Sequence, residues 1–445
     1  MNILVIGAGT VGYNLASHLS AEVHKLTVLD VSDTKLEDVT SLLDVKTVSG
    51  DCVSTSVLKE SGAAGADLVI SVTETDEVNL ISAMFCKKLG AKQTIARVRN
   101  REYFREDAAV KRSEWGIDLL INPENEAAEE ILHLLEKPYA SDITSLSGHV
   151  EILSWKITRN SPLLDRTLME IAAMFSFDFR IVLIQRDNSI IVPKGRTGLK
   201  ENDHIYLIAP AKKMDTIAEQ FGLYTKKPSR VIICGNTDVA TRVAEGLDLK
   251  NNIRTKFICS DQDMCRRLTD MYKSILILNG DLTDKEFLES ENIKETDVFM
   301  ALSDNEEENL LSCLLAKSLG VRKVISLVIK PDYIPLISRL EIDSIVSQRL
   351  TTTGRILKYV RSDRVLFSAT VANNSAELLE FLVSKKSKAT KKPIMNLKFP
   401  DGAIIGAVIR DGIPSITTGS TLMKPGDHVV VIAEAGCVKQ VENFF

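Results

Sequence analysis

Apolar residues follow two alternating rhythms through the first third of the chain. Short stretches rich in apolar and β-branched residues at Asn2–Gly7, Leu26–Asp30, Lys46–Val48, Asp67–Thr73 and Gln93–Val98 read as strands. Between them, Thr10–Ser20 and Asp76–Leu89 place an apolar residue every three or four positions. The runs suit strands buried on both faces, and the spaced stretches suit amphipathic helices that cover them. Strict alternation of the two predicts a parallel, doubly wound sheet. Its strand C-terminal ends gather on one edge, which is where ligands bind such sheets.

The rhythm then changes. Asn122-Pro123-Glu124 reads as an N-cap, an N1 proline and an acidic first turn, opening a helix to about Glu136 that Pro138 ends. From Val150 come short β-like pieces at Ile152–Ile157, Phe179–Gln185, Ser189–Val192 and His204–Ile208, separated by turn residues. These predict a small, β-rich α+β unit.

Both patterns occur twice. Residue 2 falls on residue 230 at the start of the second copy, and residues 50–103 align with 280–333 without a gap, 14 of 54 positions being identical. The matches include Gly50/Gly280, Asp51/Asp281, Asp67/Asp297, Glu77/Glu307, Asn79/Asn309, Gly90/Gly320 and Tyr103/Tyr333. Further on, LKENDHIYLIAP (199–210) answers MKPGDHVVVIAE (423–434), with Lys, Asp and His in register. The expectation is a tandem duplication of a Rossmann-like α/β lobe followed by a small C-lobe. Its limits are 1–137, 145–225, 229–355 and 362–445, with Lys226–Ser229 as the linker.

Composition narrows the possibilities. Hydrophobic residues at 44% and charged residues at 26% are ordinary for a globular protein, and the net charge of −5 argues against a nucleic-acid partner. Mean hydropathy is +0.03 and no apolar run approaches the roughly 18 residues of a membrane span. The N-terminus lacks the pattern of a signal peptide. Seven cysteines include no C-x-x-C pair and are expected to be buried reduced thiols, and six scattered histidines offer no metal-ligand spacing. The lysine run at 384–392 reads as a solvated loop or helix end.

The chemistry concentrates at the first strand–helix turn. Gly7-Ala8-Gly9-Thr10-Val11-Gly12 is G-x-G-x-x-G in its required context. Gly7 permits the tight turn, Gly9 lets main-chain amides approach a pyrophosphate, and Gly12 lets the helix pack close to the strand. Asp30 ends the second strand, where a carboxylate accepts hydrogen bonds from ribose hydroxyls and repels a 2′-phosphate. That favours NAD(H) over NADP(H), while ATP and ADP present the same ribose. Asp51 and the Cys52 amide follow the third strand and could meet an adenine, though a turn-stabilising role for Asp51 is equally compatible. Thr73 and Glu74 cap the fourth strand beside the switch point, and Arg97 ends the fifth with a guanidinium suited to a phosphate. Asp76 reads as a helix N-cap, and Arg99 as a surface or interface charge.

The second copy, Gly235-Asn236-Thr237-Asp238-Val239-Ala240, keeps only the first glycine. Asp238 sets a negative charge where a phosphate would arrive, Ser260 stands in for Asp30, and Leu327 for Arg97. A weak, altered or empty site is expected there. An oxidoreductase would also need a proton relay. His149, His204 and His428 form no constellation, and no catalytic residue is identifiable; an NAD-dependent oxidoreductase and a passive scaffold are the alternatives.

The strand–GAGTVG–helix unit, VLD, SGD, VTETDEVNL, ARVRN and the DHIYLIA-like tail resemble regulators of potassium transport of the RCK/KTN type. The resemblance spans essentially the whole chain. It implies a homo-oligomeric ring of RCK domains, a tetramer, peripheral on the cytoplasmic face of the cell membrane. There it would regulate ion flux through a separate membrane-embedded Trk-type potassium transporter subunit in response to NAD(H) or ATP/ADP. It also implies nucleotide contacts at Gly7 to Val11, Asp30, Asp51, Thr73, Glu74 and Arg97, with Gly235 to Val239 as the altered second set.

Overall fold

The computed structural model describes residues 1–20, 24–105, 112–146, 148–175, 178–187, 189–250, 252–330, 334, 340–360, 365–372 and 375–445. Its first lobe runs β1 (Asn2–Ile6), α1 (Thr10–Ser20), β2 (Lys25–Asp30), α2 (Asp33–Leu42), β3 (Lys46–Ser49), α3 (Thr55–Glu60), β4 (Leu68–Ser71), α4 (Asp76–Leu89), β5 (Gln93–Arg97) and β6 (Leu119–Ile121). The six strands pair in parallel in the order β3-β2-β1-β4-β5-β6. This is the expected doubly wound sheet. The order reverses between β1 and β4, so α1 and the loop after β4 flank the crevice at the switch point. One face buries Ile3, Val5, Val28 and Ile70 under α1, and the other buries Leu4, Ile6, Leu29 and Val69 under α3 and α4.

After α5 (Pro123–Glu136), the first small lobe contains β7 (Asp142–Leu146), β8 (Val150–Lys156), α6 (Leu168–Met174), β9 (Arg180–Arg186), β10 (Ser189–Ile191), β11 (His204–Pro210) and α7 (Met214–Gln220). The strands form an antiparallel sheet, β10-β9-β11-β8-β7. The second large lobe repeats the first with β12 (Arg230–Cys234), α8 (Asp238–Asp248), β13 (Arg254–Cys259), α9 (Gln262–Met271), β14 (Ile275–Asn279), α10 (Lys285–Ser290), β15 (Val298–Ala301), α11 (Glu306–Ser318), β16 (Lys323–Leu327) and β17 (Ser344–Val346). Its order, β14-β13-β12-β15-β16-β17, is again parallel.

The chain continues through α12 (Gln348–Val360) to β18 (Val365–Val371), β19 (Ala376–Leu382), β20 (Ala403–Arg410), β21 (Ile413–Ile416), β22 (His428–Glu434) and α13 (Val438–Glu442). These last strands form the antiparallel sheet β18-β19-β22-β20-β21.

Contacts divide the chain into two units that do not follow sequence order. Met1–Ala127 groups with Gln348–Val360, and Ala128–Ser347 groups with Arg361–Phe445. In the first unit, Ile356 and Leu357 of α12 join the core beneath α1. In the second unit, the later turns of α5 lie on the second large lobe. A side chain on Gly246 would strike Leu132, since an added Cβ meets Leu132 Cδ1 at 2.5 Å. Lys323 Nζ donates to the Leu134 and Ala140 carbonyls at 3.1 and 2.7 Å, capping the end of α5.

The second unit also joins its two small sheets through one core. Leu146, Ile152, Val182, Tyr206 and Ile208 meet Val371, Leu378, Ala407, Val430 and Ile432. Gly406 in β20 is needed there, because an added Cβ would sit 3.0 Å from Ile208 Cδ1 and 3.3 Å from Val182 Cγ1. The repeated Lys-Asp-His stretch has a structural meaning. Asp203 takes both prongs of Arg186 at 2.7 and 2.8 Å plus the Lys200 amide, and Asp427 does the same with Arg410 and the Lys424 amide. Each buried carboxylate thus fastens a turn to its sheet. His204 and His428 begin their strands and are not equivalent: His428 Nδ1 lies 2.8 Å from Glu380, while burial and Lys156 lower His204 to about 4.

Cys259 and Cys265 are disulfide-bonded rather than reduced thiols. The turn from β13 into α9, capped by Asp261, brings their Cα atoms to 6.0 Å, a proximity that spacing without C-x-x-C does not reveal. Cys52, Cys86, Cys234 and Cys313 are buried and free.

Candidate functional site

The first strand–helix turn is built as its glycines require. Gly7 has φ of +106°, and a Cβ there would lie 2.9 Å from the Thr73 nitrogen. A Cβ on Gly12 would lie 1.8 Å from the Gly7 carbonyl oxygen, so α1 crosses β1 only because position 12 has no side chain. Gly9 differs: a Cβ there would meet nothing within 4 Å. Its bareness leaves open space at the α1 N-terminus instead of permitting a close contact within the protein. Ala8 and Val11 turn their side chains into the core, leaving the main chain on the exposed side. Thr10 is the first, exposed residue of α1. An N-terminus of this kind presents unpaired N–H groups and positive potential to an anion.

Gly12→Ala is expected to displace α1 from β1, because the new methyl and the Gly7 carbonyl cannot both fit. A destabilisation of about 1–3 kcal/mol should appear as a lowered denaturation midpoint. An unchanged midpoint would show that the turn relaxes freely.

Asp30 closes the other side of the turn. It is 7% exposed; Oδ2 accepts the Ala8 amide at 2.6 Å and Oδ1 the Ser32 amide at 2.9 Å. The carboxylate therefore sets the glycine loop against β2. Asp51 is exposed and accepts the Val53 amide at 3.0 Å, the turn-stabilising arrangement. Cys52 faces the core, where burial, with Asp30 and Asp51 nearby, pushes its thiol up to about 11. Thr73 and Thr75 begin the loop after β4, and buried Asn79 ties this loop to β5. Asn79 Oδ1 accepts the Thr73 amide at 2.7 Å, and Nδ2 donates to the Thr73 and Arg97 carbonyls at 3.1 and 2.9 Å. Glu74 points outward and pairs with Lys35 of α2 at 3.2 Å.

A cluster around Arg97 was only partly visible in the sequence. Burial, Arg99 and Arg349 lower the Arg97 guanidinium below its usual range, and its buried Nε has no partner among the described residues. Arg99 Nε donates to Glu124 Oε1 at 2.8 Å. Glu124 is 1% exposed, and its Oε2 also lacks a partner among the described residues. Asp76 is not the N-cap expected of it; that position is Thr75. Asp76 instead accepts the Arg99 and Asn100 amides at 2.9 and 2.7 Å, and so shapes the segment that leaves β5. Asn79 gave a signal in its repetition at Asn309. Glu124 gave one in its place after the N1 proline. Arg349 gave none, because it reaches this edge from 225 residues beyond Glu124.

The second lobe closes the same edge with its own side chains. Thr237, at the position of Gly9, accepts the Ala240 amide at 3.3 Å and donates to the Leu302 carbonyl at 2.6 Å, so α8 is capped internally. Asn236 and Asp304 exchange two hydrogen bonds of 3.1 Å across the mouth. Gly235 has φ of +141°, Asp238 is in the first turn, and Val239 is buried. Asn309 keeps the structural role of Asn79 by accepting the Ser303 amide and donating to Leu327. Glu306 likewise repeats Asp76, accepting the Ile329 and Lys330 amides.

Two Rossmann-type lobes, one with an open glycine edge and one with a closed edge, alternate with two small antiparallel lobes, the fold of tandem RCK domains. The TrkA-N domain family matches residues 3–123 and 231–348, and the TrkA-C domain family matches 153–222 and 378–445. The chain belongs to the TrkA family of Trk-system potassium uptake proteins. It is 34% identical to Trk system potassium uptake protein TrkA homolog 2 of Methanosarcina mazei, with both chains fully covered. It is 33% identical to the Haemophilus influenzae protein TrkA, covering all of this chain and 98% of that one. Among solved structures, the GsuK RCK domain aligns over all of this chain and 94% of its own with a TM-score of 0.60 at 15% identity. The GsuK channel bound to NAD aligns over all of this chain and 78% of its own, also at 0.60 and 15%. Among the described residues, no helix is long and apolar enough to cross a membrane.

Proposed function

We propose that this chain is the cytoplasmic regulatory subunit of a Trk-type potassium transporter and reads nucleotide at the open edge of its first lobe. The observation that carries this reading is the contrast at one position: open space beside Gly9, and a self-capping threonine at 237. Gly7 to Val11 would hold the phosphates with main-chain amides, and Asp30 would take the ribose hydroxyls. Arg97 would face the remaining anionic group, with Thr73 and Glu74 at the switch point, and Asp51 and the Cys52 amide would line the adenine side. NAD(H) fits the Asp30 carboxylate, and ATP or ADP would use the same ribose and phosphate contacts. The NAD-bound RCK structure of similar fold supports the choice.

The four lobes would have the limits 1–137, 145–225, 229–355 and 362–445, assembled with other copies into a ring. The membrane partner supplies the pore, and this chain stays peripheral to the membrane. The reading is of a sensor rather than an enzyme. Asp30, Asp51 and Asp76 are committed to main-chain amides, and Glu74 and Glu124 to ion pairs. Occupancy would bias transport only if the edge binds more tightly in one ring shape than another.

Potassium uptake by cells with the membrane partner, with and without this chain, tests the proposal. Uptake should require the chain and should follow the cellular NAD(H) or ATP/ADP ratio. Uptake that is indifferent to the chain would overturn the assignment. Dependence on the chain without any nucleotide response would reduce it to a scaffold.

A further inference from the structure

The lysine run lies in the connection between β19 and β20. Between Glu380 and Asp401 the chain carries six lysines (385, 386, 388, 391, 392 and 398) and no acidic residue, within a protein of net charge −5. All six are exposed, and none forms an ion pair with a described residue. The corresponding connection in the first small lobe, residues 157–179, carries two arginines against three acidic residues and folds around the capped helix α6. Duplication supplies the comparison: one copy of this connection has become strongly basic, while the other has not.

The basic loop is not a loose tail. Ser387 Oγ and the Lys388 amide donate to the Phe444 carbonyl at 2.7 and 3.0 Å, and Ser384 Oγ donates to Phe445 at 3.2 Å. The Ile394 and Met395 amides donate to the Thr421 and Gly419 carbonyls at 3.0 and 2.9 Å. Ala389 and Phe445 are buried beneath it. In the same loop Met395 is 71% exposed, although its neighbours Ile394 and Leu397 turn toward the core. A pinned loop that carries six exposed cations, unpaired among the described residues, and one exposed apolar side chain matches a layer of anionic headgroups over hydrocarbon.

We infer that the β19–β20 loop is a docking surface for an anionic phospholipid bilayer, with lysines 385, 386, 388, 391 and 392 at the headgroups and Met395 entering the interface. This contact is separate from the nucleotide edge and does not depend on it. Each lysine near an anionic surface raises partitioning about fivefold, so even two engaged at a time give about twenty-fivefold.

Co-sedimentation of the full chain with vesicles of phosphatidylglycerol and phosphatidylcholine, against phosphatidylcholine alone, tests it. The chain should pellet only with the anionic vesicles, release as salt rises, and lose at least about tenfold in partitioning when the five lysines of the run become glutamine. Met395→Ser should weaken binding that persists at high salt. An unchanged denaturation midpoint would confirm that the five-lysine variant is folded. If the chain does not pellet with anionic vesicles, or the lysine variant pellets equally well, the inference fails; a surface recognised only by an acidic protein would give the first of these results.

Discussion

NAD(H) or ATP/ADP is expected to raise the thermal midpoint of the full chain, and Asp30→Ala to abolish that rise. A ligand at a hundred times its dissociation constant stabilises the folded state by about 2.7 kcal/mol. Asp30 would contribute charge-assisted hydrogen bonds to the ribose, each of roughly 1.5–3 kcal/mol. It also holds the Ala8 amide at 2.6 Å, so the mutation releases the phosphate loop as well. Together these should lower affinity by at least about a hundredfold. Ser260→Ala, at the equivalent position of the second lobe, should leave the nucleotide response intact. If the Asp30 variant keeps a full midpoint shift, the open edge of the first lobe is not the nucleotide site.

The second large effect concerns Lys323, 3% exposed and capping α5. Burial lowers its pKa from 10.5 to about 7, against the opposing pull of Asp343. In the unfolded chain the lysine titrates near its ordinary value. Between about pH 7 and 10.5 the unfolded chain therefore binds more protons than the folded one, and stability rises with pH across that window. Below it both states are protonated, and the cost of burying the charge is fully present. Wild type should gain roughly 2 kcal/mol from this group between pH 7 and 9, and Lys323→Met should not. Denaturant unfolding of both proteins from pH 6 to 9 isolates the effect, because other groups cancel in the difference. Parallel curves would mean that the ammonium is not desolvated as its surroundings indicate.

The sheets are legible in the sequence because the residues that form them are strongly local. Buried parallel strands make continuous apolar runs, and the G-x-G-x-x-G turn is one stretch whose geometry follows from missing side chains. The loss of Gly9 and Gly12 in the second copy likewise forecast an altered edge, and Thr237 gives the physical form of that loss. Asp76 departs from the N-cap role that a carboxylate at a helix start suggests, because its partners are amides 23 and 24 residues later. Arg349 and the Cys259–Cys265 pair depend on which surfaces meet, and local pattern carries no such information. The same holds for α12: amphipathicity requires that it bury a face but does not select the sheet that receives it.

That choice has a consequence for what the duplication can do. Each large lobe is completed by a helix encoded at the far end of the other, so neither half of the gene specifies a finished folding unit. A polypeptide severed in the 226–229 linker would leave α1 without Ile356 and Leu357, and the turns of α5 that carry Leu132 and Leu134 without the strand and helix they cover. The halves would then have to find one another before either could mature. Joining them in one chain fixes their ratio at one to one and makes the encounter intramolecular. An open lobe is thereby always made together with a closed companion, in equal number, whatever assembly such chains enter.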